Sequence, residues 1–559
     1  MSDDYFNLGP FRRRVTTQSP QAQLWFDRGL LWAYAFNHEE SARCFVKATE
    51  YDEECAMAYW GIAYARGPNY NKAWIRYDPA DLAKTVADMK PVLERAQQLA
   101  THATPVEAAL IAALAARYPV GEIPGDLGSL DRAFAAAMRP VYKAFPEDLE
   151  VAGLFVEALM CQTPRALWDL DTGEPRGPHT VEAREVLEKA MSRPGGKDQP
   201  AFGHLYIHLM EMSPFPEVAL PAADQLRTLV PDGSHLLHMS THIYVACGDY
   251  RGVIEANNQA SVVDDKYFAR ESGTVMYTIY RAHNIYVKIY GAIISGNFSE
   301  AMIGLKRLQD IITPDLLSIR SPPVADWVES ILGVVAHVLI RFGRWHDILD
   351  LQFPQDTELF CSTTAMIYYA RGIALAVLNI LPEAKEEQAK FESARARVPE
   401  TRLNSLPVRE VDILKVASAM LRGEIAYRQG DFDEAFAHLR QATVLEDGLH
   451  YADPPPWTQP SRHALGALLL EQGHVEEAQR VYEEDLGLSK TLPRRKARLN
   501  NVWGLHGLHE CLGRRGEHEK ARYIRAQRDI ALASADVSIT ASCFCRLSAV
   551  GQDQVCCKP

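Results

Sequence analysis

Four histidines near the middle of the chain are spaced as two matched pairs. His204 and His208 are four residues apart, and so are His238 and His242. Residues four apart share one face of a helix, so each pair can point at a single ion. Corresponding members of the two pairs are 34 residues apart. In a chain built from 34-residue repeats, the pairs would occupy equivalent places in adjacent repeats.

Further side chains could complete a site around these pairs. Glu211 follows the first pair, His235 lies one turn before the second, and His283 comes later in the chain. Neutral imidazole suits copper, iron and zinc, and a carboxylate can act as a ligand or a general base. We therefore expect a transition-metal ion, with Glu211 as the catalytic residue and His235 as a weaker candidate. The expected metal ligands are His204, His208, His238, His242 and His283.

Two classes of function fit this pattern. The first is a metalloenzyme acting on a small molecule. Oxidative chemistry is slightly favoured, because a shell made only of imidazoles is unusual for catalytic zinc outside a three-histidine site. A zinc hydrolase or lyase with Glu211 as the base is the second enzymatic form. The other class is a non-catalytic scaffold that binds a peptide or a partner protein, with the histidines as contact residues or as a pH-responsive element. Incidental packing of the histidines is a further alternative.

Composition excludes several classes of partner. The chain has 559 residues, 47% of them hydrophobic and 23% charged, which is ordinary for globular proteins. Its formal net charge of -13 argues against a nucleic-acid or anionic-membrane binder. No apolar run is long enough for a membrane span, and the N-terminus lacks the apolar core of a signal peptide. Most of the 10 cysteines lie in helical patterns, as reduced thiols do, so we expect a cytoplasmic protein.

The elements that must position the histidines are helical hairpins. Units that begin at residues 22, 416 and 459 place large and small residues at regular positions, which are Trp25, Gly29, Trp32, Phe45 and Ala48, then Gly423, Gly430, Ala435 and Ala442, then Gly466, Gly473, Ala478 and Tyr482. Small residues at these positions let two helices approach closely. The pattern predicts an all-α, tetratricopeptide-like solenoid of helical hairpins curled around a concave groove.

This repeat register assigns a place to each candidate ligand. Each His pair falls at the fifth and ninth places of the first helix of its unit, and Glu211 falls at the twelfth. Side chains at these places face the groove in such arrays, so a shared site is expected. A further unit fits Gly296 and Ala301, and it puts His283 at its second, groove-facing place.

Proline-rich breaks suggest an organisation in six segments. These are residues 1–160 with N-terminal repeat-like helices, 161–200 as a Pro/Gly-rich loop region, 201–310 with the His-rich units, 311–400 with helical hairpins, 401–535 with C-terminal repeat units, and 536–559 as a flexible tail containing Cys543, Cys545, Cys556 and Cys557.

Several stretches resemble a broad microbial family of tetratricopeptide-repeat proteins. They include WFDRGLLWAYAFNHEESARCF, HLLHMSTHIYVACGDY and EDGLHYADPPPWTQPSRHALGALLLEQG. The resemblance covers about residues 5–530. The family has no firmly assigned general activity, so the resemblance implies the fold and leaves the reaction open. It implies polar motif positions at His38, Trp168, Asp169, Arg462 and Asp485.

Those motif positions, together with Tyr244 beside the second His pair, are possible substrate contacts or supports of the metal ligands. His38 has a simpler interpretation as a solvated residue of a helix that Asn37 caps. Tyr244 has one as a core aromatic residue. Asp485 occupies a crossing point where the repeat expects alanine, so we expect it to be paired, with Arg462 as one possible partner.

Overall fold

The computed structural model describes residues 5–271, 275–404 and 407–549. Within these ranges the chain is helical and forms no strand, with only isolated antiparallel bridges at Trp168–Pro175 and Leu403–Arg409. The predicted all-α class is confirmed. No helix in the described part of the chain has both the length and the apolar character needed to cross a membrane.

The chain divides into two units. The first comprises Met1–Ile243 and Asn258–Arg281, and the second comprises Tyr244–Asn257 and Ala282–Pro559. Three helices near residues 234–295 contain the points at which the chain passes from one unit to the other.

The first thirteen α-helices, in chain order, are α1 (Pro20–Tyr34), α2 (His38–Tyr51), α3 (Ala56–Arg66), α4 (Pro79–Leu99), α5 (Pro105–Ala115), α6 (Gly128–Ala144), α7 (Leu149–Met160), α8 (Pro178–Met191), α9 (Pro200–Met210), α10 (Leu220–Leu229), α11 (Ser234–Cys247), α12 (Tyr250–Phe268) and α13 (Val275–Ser295). Consecutive helices pack against each other, including α1 with α2, α2 with α3, and α9 with α10. Helix α1 also packs against α9.

The remaining α-helices are α14 (Phe298–Ile311), α15 (Pro314–Leu317), α16 (Val324–Val328), α17 (Val334–Arg341), α18 (Trp345–Leu349), α19 (Cys361–Val377), α20 (Leu381–Arg395), α21 (Glu410–Gln429), α22 (Phe432–Asp447), α23 (Ser461–Glu471), α24 (Val475–Asp485), α25 (Val502–Arg514) and α26 (His518–Leu532). Here α19 packs with α20, α21 with α22, α23 with α24, and α25 with α26. The predicted arrangement of helical hairpins is confirmed.

The small residues of the repeat pattern allow this close packing. A Cβ atom added at Gly29 would lie 2.8 Å from the ring of Phe45, and one at Gly61 would lie 2.4 Å from it. Real Cβ atoms do not approach other atoms so closely, so only glycine lets α1 and α3 contact the Phe45 ring of α2. Gly466 has the same relationship with Tyr482, at 2.4 Å. Four of the predicted repeat positions therefore form contacts between helices, namely Gly29, Phe45, Gly466 and Tyr482.

The structure differs from the predicted segments at two places. The expected loop region 161–200 contains a full helix, α8, which Pro178 begins because proline suits a first helical turn. The second difference is at residue 536, where a flexible tail was expected to begin. Cys543, Phe544 and Cys545 are buried, and a disulfide joins the two cysteines, so the start of this segment is packed. Cys556 and Cys557 lie outside the described residues. The other segment boundaries stay predictions.

Candidate metal centre

Helices α9 and α11 carry the two histidine pairs in the predicted register. Helix α9 begins at Pro200, where the Gln199 side chain accepts a hydrogen bond from a backbone N–H of the first turn. His204 and His208 are therefore its fifth and ninth residues. Helix α11 begins at Ser234, which makes His238 and His242 its fifth and ninth residues. The expected equivalence of the two pairs is confirmed.

Five imidazoles of the first unit form a closed cycle, which we call the histidine cluster. Its members are His204, His208, His242, His238 and His235, in spatial order. Neighbouring ring centroids are 5.0, 5.4, 5.1, 5.7 and 5.0 Å apart around the cycle. All five residues are at most 3% exposed. The cluster is therefore closed to bulk solvent, and His235, the weaker sequence candidate, is a full member of it.

Three members are held through Nδ1. His204 donates from Nδ1 to the backbone carbonyl of Tyr34 at 2.7 Å. Tyr34 is the last residue of α1, where carbonyls lack a partner within the helix. His208 donates from Nδ1 to Glu211 Oε1 at 2.8 Å, and His242 donates to Glu211 Oε2 at 2.5 Å. A proton on Nδ1 leaves the lone pair on Nε2, so each of the three rings offers Nε2 as a ligand atom.

Several Nε2 atoms of the cluster are buried. His204 Nε2 and His208 Nε2 are buried, and among the described residues neither has a hydrogen-bond partner. The same holds for both ring nitrogens of His235. Ligand atoms of these three residues lie within 4.8 Å of one another, and His238 Nε2 lies 3.1 Å from His242 Nε2. Buried nitrogens without partners are costly, and a metal ion would satisfy them.

Burial sets the protonation states of the cluster. It lowers the pKa of His208 to about 4 and the pKa of His204 well below its usual value. Burial alone would raise the pKa of Glu211, but attraction to His242 and hydrogen bonds from His208 and His242 hold that pKa well below its usual range. Neutral imidazoles at His204 and His208, beside an ionised Glu211, are the state in which these groups bind metal.

Glu211, the expected catalytic base, also contacts two of the candidate metal ligands. Both of its carboxylate oxygens accept hydrogen bonds from imidazoles. Glu211 closes the last turn of α9, so it reaches His208 on its own helix and His242 on α11. It also belongs, with these two histidines, to a set whose ligand atoms lie within 4.8 Å of one another. Because both oxygens orient candidate ligands, Glu211 has a positioning role. Each oxygen keeps a further lone pair, so its use as a base stays a prediction.

Aromatic rings that sequence reasoning did not single out surround the cluster. The Phe36 ring lies 4.3 Å from the His204 ring and 5.2 Å from the His235 ring. Tyr70 lies 4.7 Å from His208, and Tyr280 lies 5.0 Å from His235. Phe36 has a φ of 52°, which a bulky residue rarely adopts. Phe36 could have been suspected because it directly precedes the Asn37-His38 motif. No local sequence pattern indicates that Tyr70 and Tyr280 lie beside the histidines.

The other first-unit candidates lie outside the cluster. His38 is the first residue of α2, and its ring centroid lies 5.4 Å from Phe36. Its ring nitrogens are buried, so the expectation of a solvated side chain is wrong, whereas Asn37 does cap α2. Trp168 donates from Nε1 to the Leu209 carbonyl at 2.6 Å and thereby braces α9. Asp169 organises its own loop by accepting hydrogen bonds from Thr172.

Two candidates belong to the second unit and lie on helices that start in the first. Helix α13 begins at Val275, so His283 is its ninth residue, and the predicted second place is wrong because helical residues continue further upstream. Within the second unit, His283 Nε2 lies 3.9 Å from Asp453 Oδ2. Tyr244 is buried, 4% exposed, as a core aromatic residue would be.

Asp485 is buried and paired as predicted, but its partners differ from the one considered. Its Oδ2 accepts hydrogen bonds from His463 Nε2 and Asn501 Nδ2, each at 2.8 Å. Arg498 Nη1 lies 3.4 Å from its Oδ1. Arg462 instead forms two bonds with Asp447, each 2.7 Å long. The guanidinium of Arg462 is therefore already engaged by another carboxylate.

Comparison with known proteins adds no assignment. No family model matches the chain, and no curated protein sequence matches it. Human IFIT1 bound to m7Gppp-AAAA aligns at 12% identity over 86% of this chain and 90% of that chain, with a TM-score of 0.32. Yeast Tom70 aligns at 12% identity over 89% of this chain and 96% of that chain, with a TM-score of 0.28. At such scores the likeness bears on neither fold nor function, so the fold assignment rests on the helix pairs themselves.

Proposed function

We propose that the histidine cluster binds a transition-metal ion and that the protein is a metal-dependent enzyme acting on a small molecule. One observation carries the proposal. Three buried imidazoles are each held through Nδ1 by an acceptor. Among the described residues His204 Nε2 and His208 Nε2 are buried without a protein partner, and His242 Nε2 lies 3.1 Å from His238 Nε2. Metal-binding histidines almost always show this arrangement, because the outer hydrogen bond fixes the tautomer and the ring orientation.

The donor set favours some metals and some reactions. His204, His208 and His235, whose ligand atoms lie within 4.8 Å of one another, would hold the ion, with His242 or His238 completing the shell. Imidazole donors suit copper, iron or zinc. Bound there, such a metal would supply Lewis acidity or redox chemistry. In a hydrolytic centre Glu211 would be the base. We favour the oxidative form, because a shell made only of imidazoles is unusual for catalytic zinc outside a three-histidine site.

The surroundings suit a catalytic centre. The ligands lie on helices, which hold side chains more precisely than loops do. The lowered pKa of His208 keeps its imidazole neutral and ready to bind metal at physiological pH. Aromatic rings from Phe36, Tyr70 and Tyr280 pack against the cluster and exclude water. We propose a small molecule as the substrate and the cytoplasm as the location, as expected from the sequence.

A scaffold that binds a peptide or a partner protein is the competing proposal, because helical hairpins commonly serve that role. The two proposals differ in whether metal is present in stoichiometric amount. Elemental analysis of protein purified without an affinity tag, together with the double variant His208→Ala/His242→Ala, separates them. His102→Ala, which removes an exposed imidazole of the same unit, is the matched control.

We expect about one ion or more per chain in the natural protein and in the control, and nearly complete loss in the double variant. Circular dichroism of the double variant would establish that its helices are retained. Metal far below stoichiometry in the natural protein would contradict the enzyme proposal. Metal that persists in the double variant would show that these histidines are not its ligands.

A further inference from the structure

Two arginines of the first unit carry a positive charge without an ion pair, and one of them lies next to the histidine cluster. They are Arg165, in the loop after α7, and Arg76, at the end of a short helical turn after α3. We propose that their guanidinium groups bind a small molecule through an oxyanion, either a carboxylate or a phosphate, which makes an organic anion the substrate class of the neighbouring centre. The assignment as substrate rests on the proposed metal-dependent function, whereas anion binding itself does not.

Tyr70 connects Arg165 to the histidine cluster. The Tyr70 hydroxyl accepts a hydrogen bond from the backbone N–H of Arg165 at 3.2 Å, and its ring lies 4.7 Å from the His208 ring. Burial lowers the pKa of His208, and the positive charge of Arg165 lowers it further. A small molecule bound by the guanidinium of Arg165 would therefore lie next to a candidate metal ligand.

The side chain of Arg165 is held in place. Its Nη2 donates to Asn71 Oδ1 at 3.0 Å. Its Nε is buried and finds no hydrogen-bond acceptor in the described part of the chain. Arg165 also has a φ of 57°, which a bulky residue rarely adopts, and such conformations concentrate at functional sites. A fixed guanidinium with an unsatisfied buried N–H is prepared to bind an acceptor.

The charges around the two arginines are unbalanced. The acids closest to them in sequence are engaged elsewhere, because Asp169 pairs with Arg176 at 3.1 Å and Asp78 caps α4. Over residues 5–271, 275–404 and 407–549, neither Arg165 nor Arg76 has a carboxylate within ion-pair distance. Burial lowers the pKa of Arg76, and the charge of Arg165 lowers it further, so the two guanidiniums repel each other. An oxyanion bound by both would replace this repulsion with attraction, and the arginine fork matches carboxylate and phosphate oxygens.

The two arginines are accessible, unlike the histidine cluster. Arg76, Arg165 and Asn71 are partly exposed, whereas the five imidazoles are at most 3% exposed. A small anion can therefore reach the guanidinium groups from solution. Partial burial also strengthens their attraction for an anion, because water screens these charges less than it screens fully exposed ones.

Anion binding can be measured without metal. Isothermal titration of metal-free protein with benzoate and with phenyl phosphate is compared with titration by benzamide, which resembles benzoate in shape but lacks its charge. A phosphate-free buffer of fixed ionic strength keeps screening equal. We expect benzoate or phenyl phosphate to bind at least about ten times more tightly than benzamide, the factor that one charge-assisted hydrogen bond contributes, and the tighter of the two identifies the group. Equal binding of all three probes, or no binding of any, would overturn the proposal.

The double variant Arg165→Gln/Arg76→Gln removes both guanidiniums. Arg12→Gln/Arg14→Gln removes two exposed arginines of the same unit and is the charge-matched control. We expect the first variant to reduce the preference for the anion to within about twofold, and the control to retain it. A preference that survives in a double variant whose helices are retained by circular dichroism would contradict the proposal.

Arg76→Gln alone keeps the test open if the double variant does not fold, because the Arg76 side chain makes no hydrogen bond with any described residue. It should weaken binding of the preferred anion at least about threefold and leave benzamide unaffected. Equal anion affinity in Arg76→Gln and in the natural protein would exclude Arg76 from the site. Since all titrations use metal-free protein, failure of the metal centre would leave these results interpretable.

Discussion

Glu211 Oε2 lies 2.5 Å from Nδ1 of His242, although the two residues are 31 positions apart in the chain. The other oxygen of the same carboxylate holds His208. One side chain at the end of α9 thus orients imidazoles on two helices. Such outer contacts fix which ring nitrogen is free to bind a metal.

Glu211→Gln should weaken metal binding without abolishing it. Glutamine has one acceptor oxygen and one donor group, so it cannot accept from both imidazoles as the carboxylate does. Loss of such an outer contact typically weakens metal affinity about 10–100-fold. Competition with a chelator of known affinity would measure the change, with Glu122→Gln as the control. Unchanged affinity would contradict the positioning role, whereas loss as severe as that of His208→Ala would identify Glu211 as a ligand.

Acid should destabilise the second unit through His337. Burial, followed by the neighbouring Arg341 guanidinium, lowers the pKa of His337 to about 3. The unfolded chain, with a histidine pKa near 6.5, binds the proton more readily, so stability present above that pH is lost as pH falls from about 6.5 towards 3. The slope is at most about 1.4 kcal/mol per pH unit.

Urea unfolding between pH 7.5 and 5, followed by tryptophan fluorescence, tests this dependence. His337→Gln should reduce the slope by up to about 1.4 kcal/mol per pH unit, because glutamine does not titrate while other buried histidines still do. His346→Gln, at an exposed position in the same unit, should leave it unchanged. An identical slope in the natural protein and in His337→Gln would show that another group is responsible.

Gly466→Ala should destabilise the second unit. A Cβ atom there would lie 2.4 Å from the Tyr482 ring. That ring cannot easily move, because its hydroxyl bonds with Ser542 Oγ at 2.6 Å and Gly507 contacts it as well. Overpacking of this kind typically costs about 1–3 kcal/mol. The free energy of urea unfolding is the measurement.

Gly513→Ala is the matched control, because it lies in α25 with nothing within 4 Å of an added Cβ. Replacing glycine with alanine inside a helix stabilises by roughly 0.5–1 kcal/mol when no clash arises. The two alanine variants should therefore shift stability in opposite directions. A neutral or stabilising Gly466→Ala would refute the close approach to Tyr482.

Asp485→Ala should be strongly destabilising, since it removes the buried acceptor of His463 Nε2 and one of the two buried carboxylates that Arg498 contacts, the other being Glu446. Removing one partner of a buried ion pair costs about 3–5 kcal/mol. Double-mutant cycles based on urea unfolding would identify the partner. We expect a coupling of about 1 kcal/mol or more between Asp485 and His463, and a much smaller one between Asp485 and Arg462. A larger coupling of Asp485 with Arg462 than with His463 would show that Arg462 is the partner, as the sequence suggested.

Local spacing alone was enough to predict the helices and the register of the ligands. The 34-residue interval put His204 and His238 at the same place in successive units, and both are the fifth residue of their helix. Landmarks such as Gly29 and Phe45 were identified for the same reason, because helical periodicity determines which residues share a face. Capping by Asn37 was also predictable, since a cap bonds only within its own turn.

Contacts between distant segments were decided by the tertiary structure. That Glu211 orients imidazoles on two helices depended on the distance between α9 and α11, which no local pattern encodes. Packing of α1 against α9 likewise brought the Tyr34 carbonyl to His204. For Asp485, burial could be inferred from its place in the repeat, but the choice of His463 over Arg462 followed from how α23 and α24 pack. Helical periodicity assigns a side chain to a face, and only the packing of helices determines which atoms meet across it.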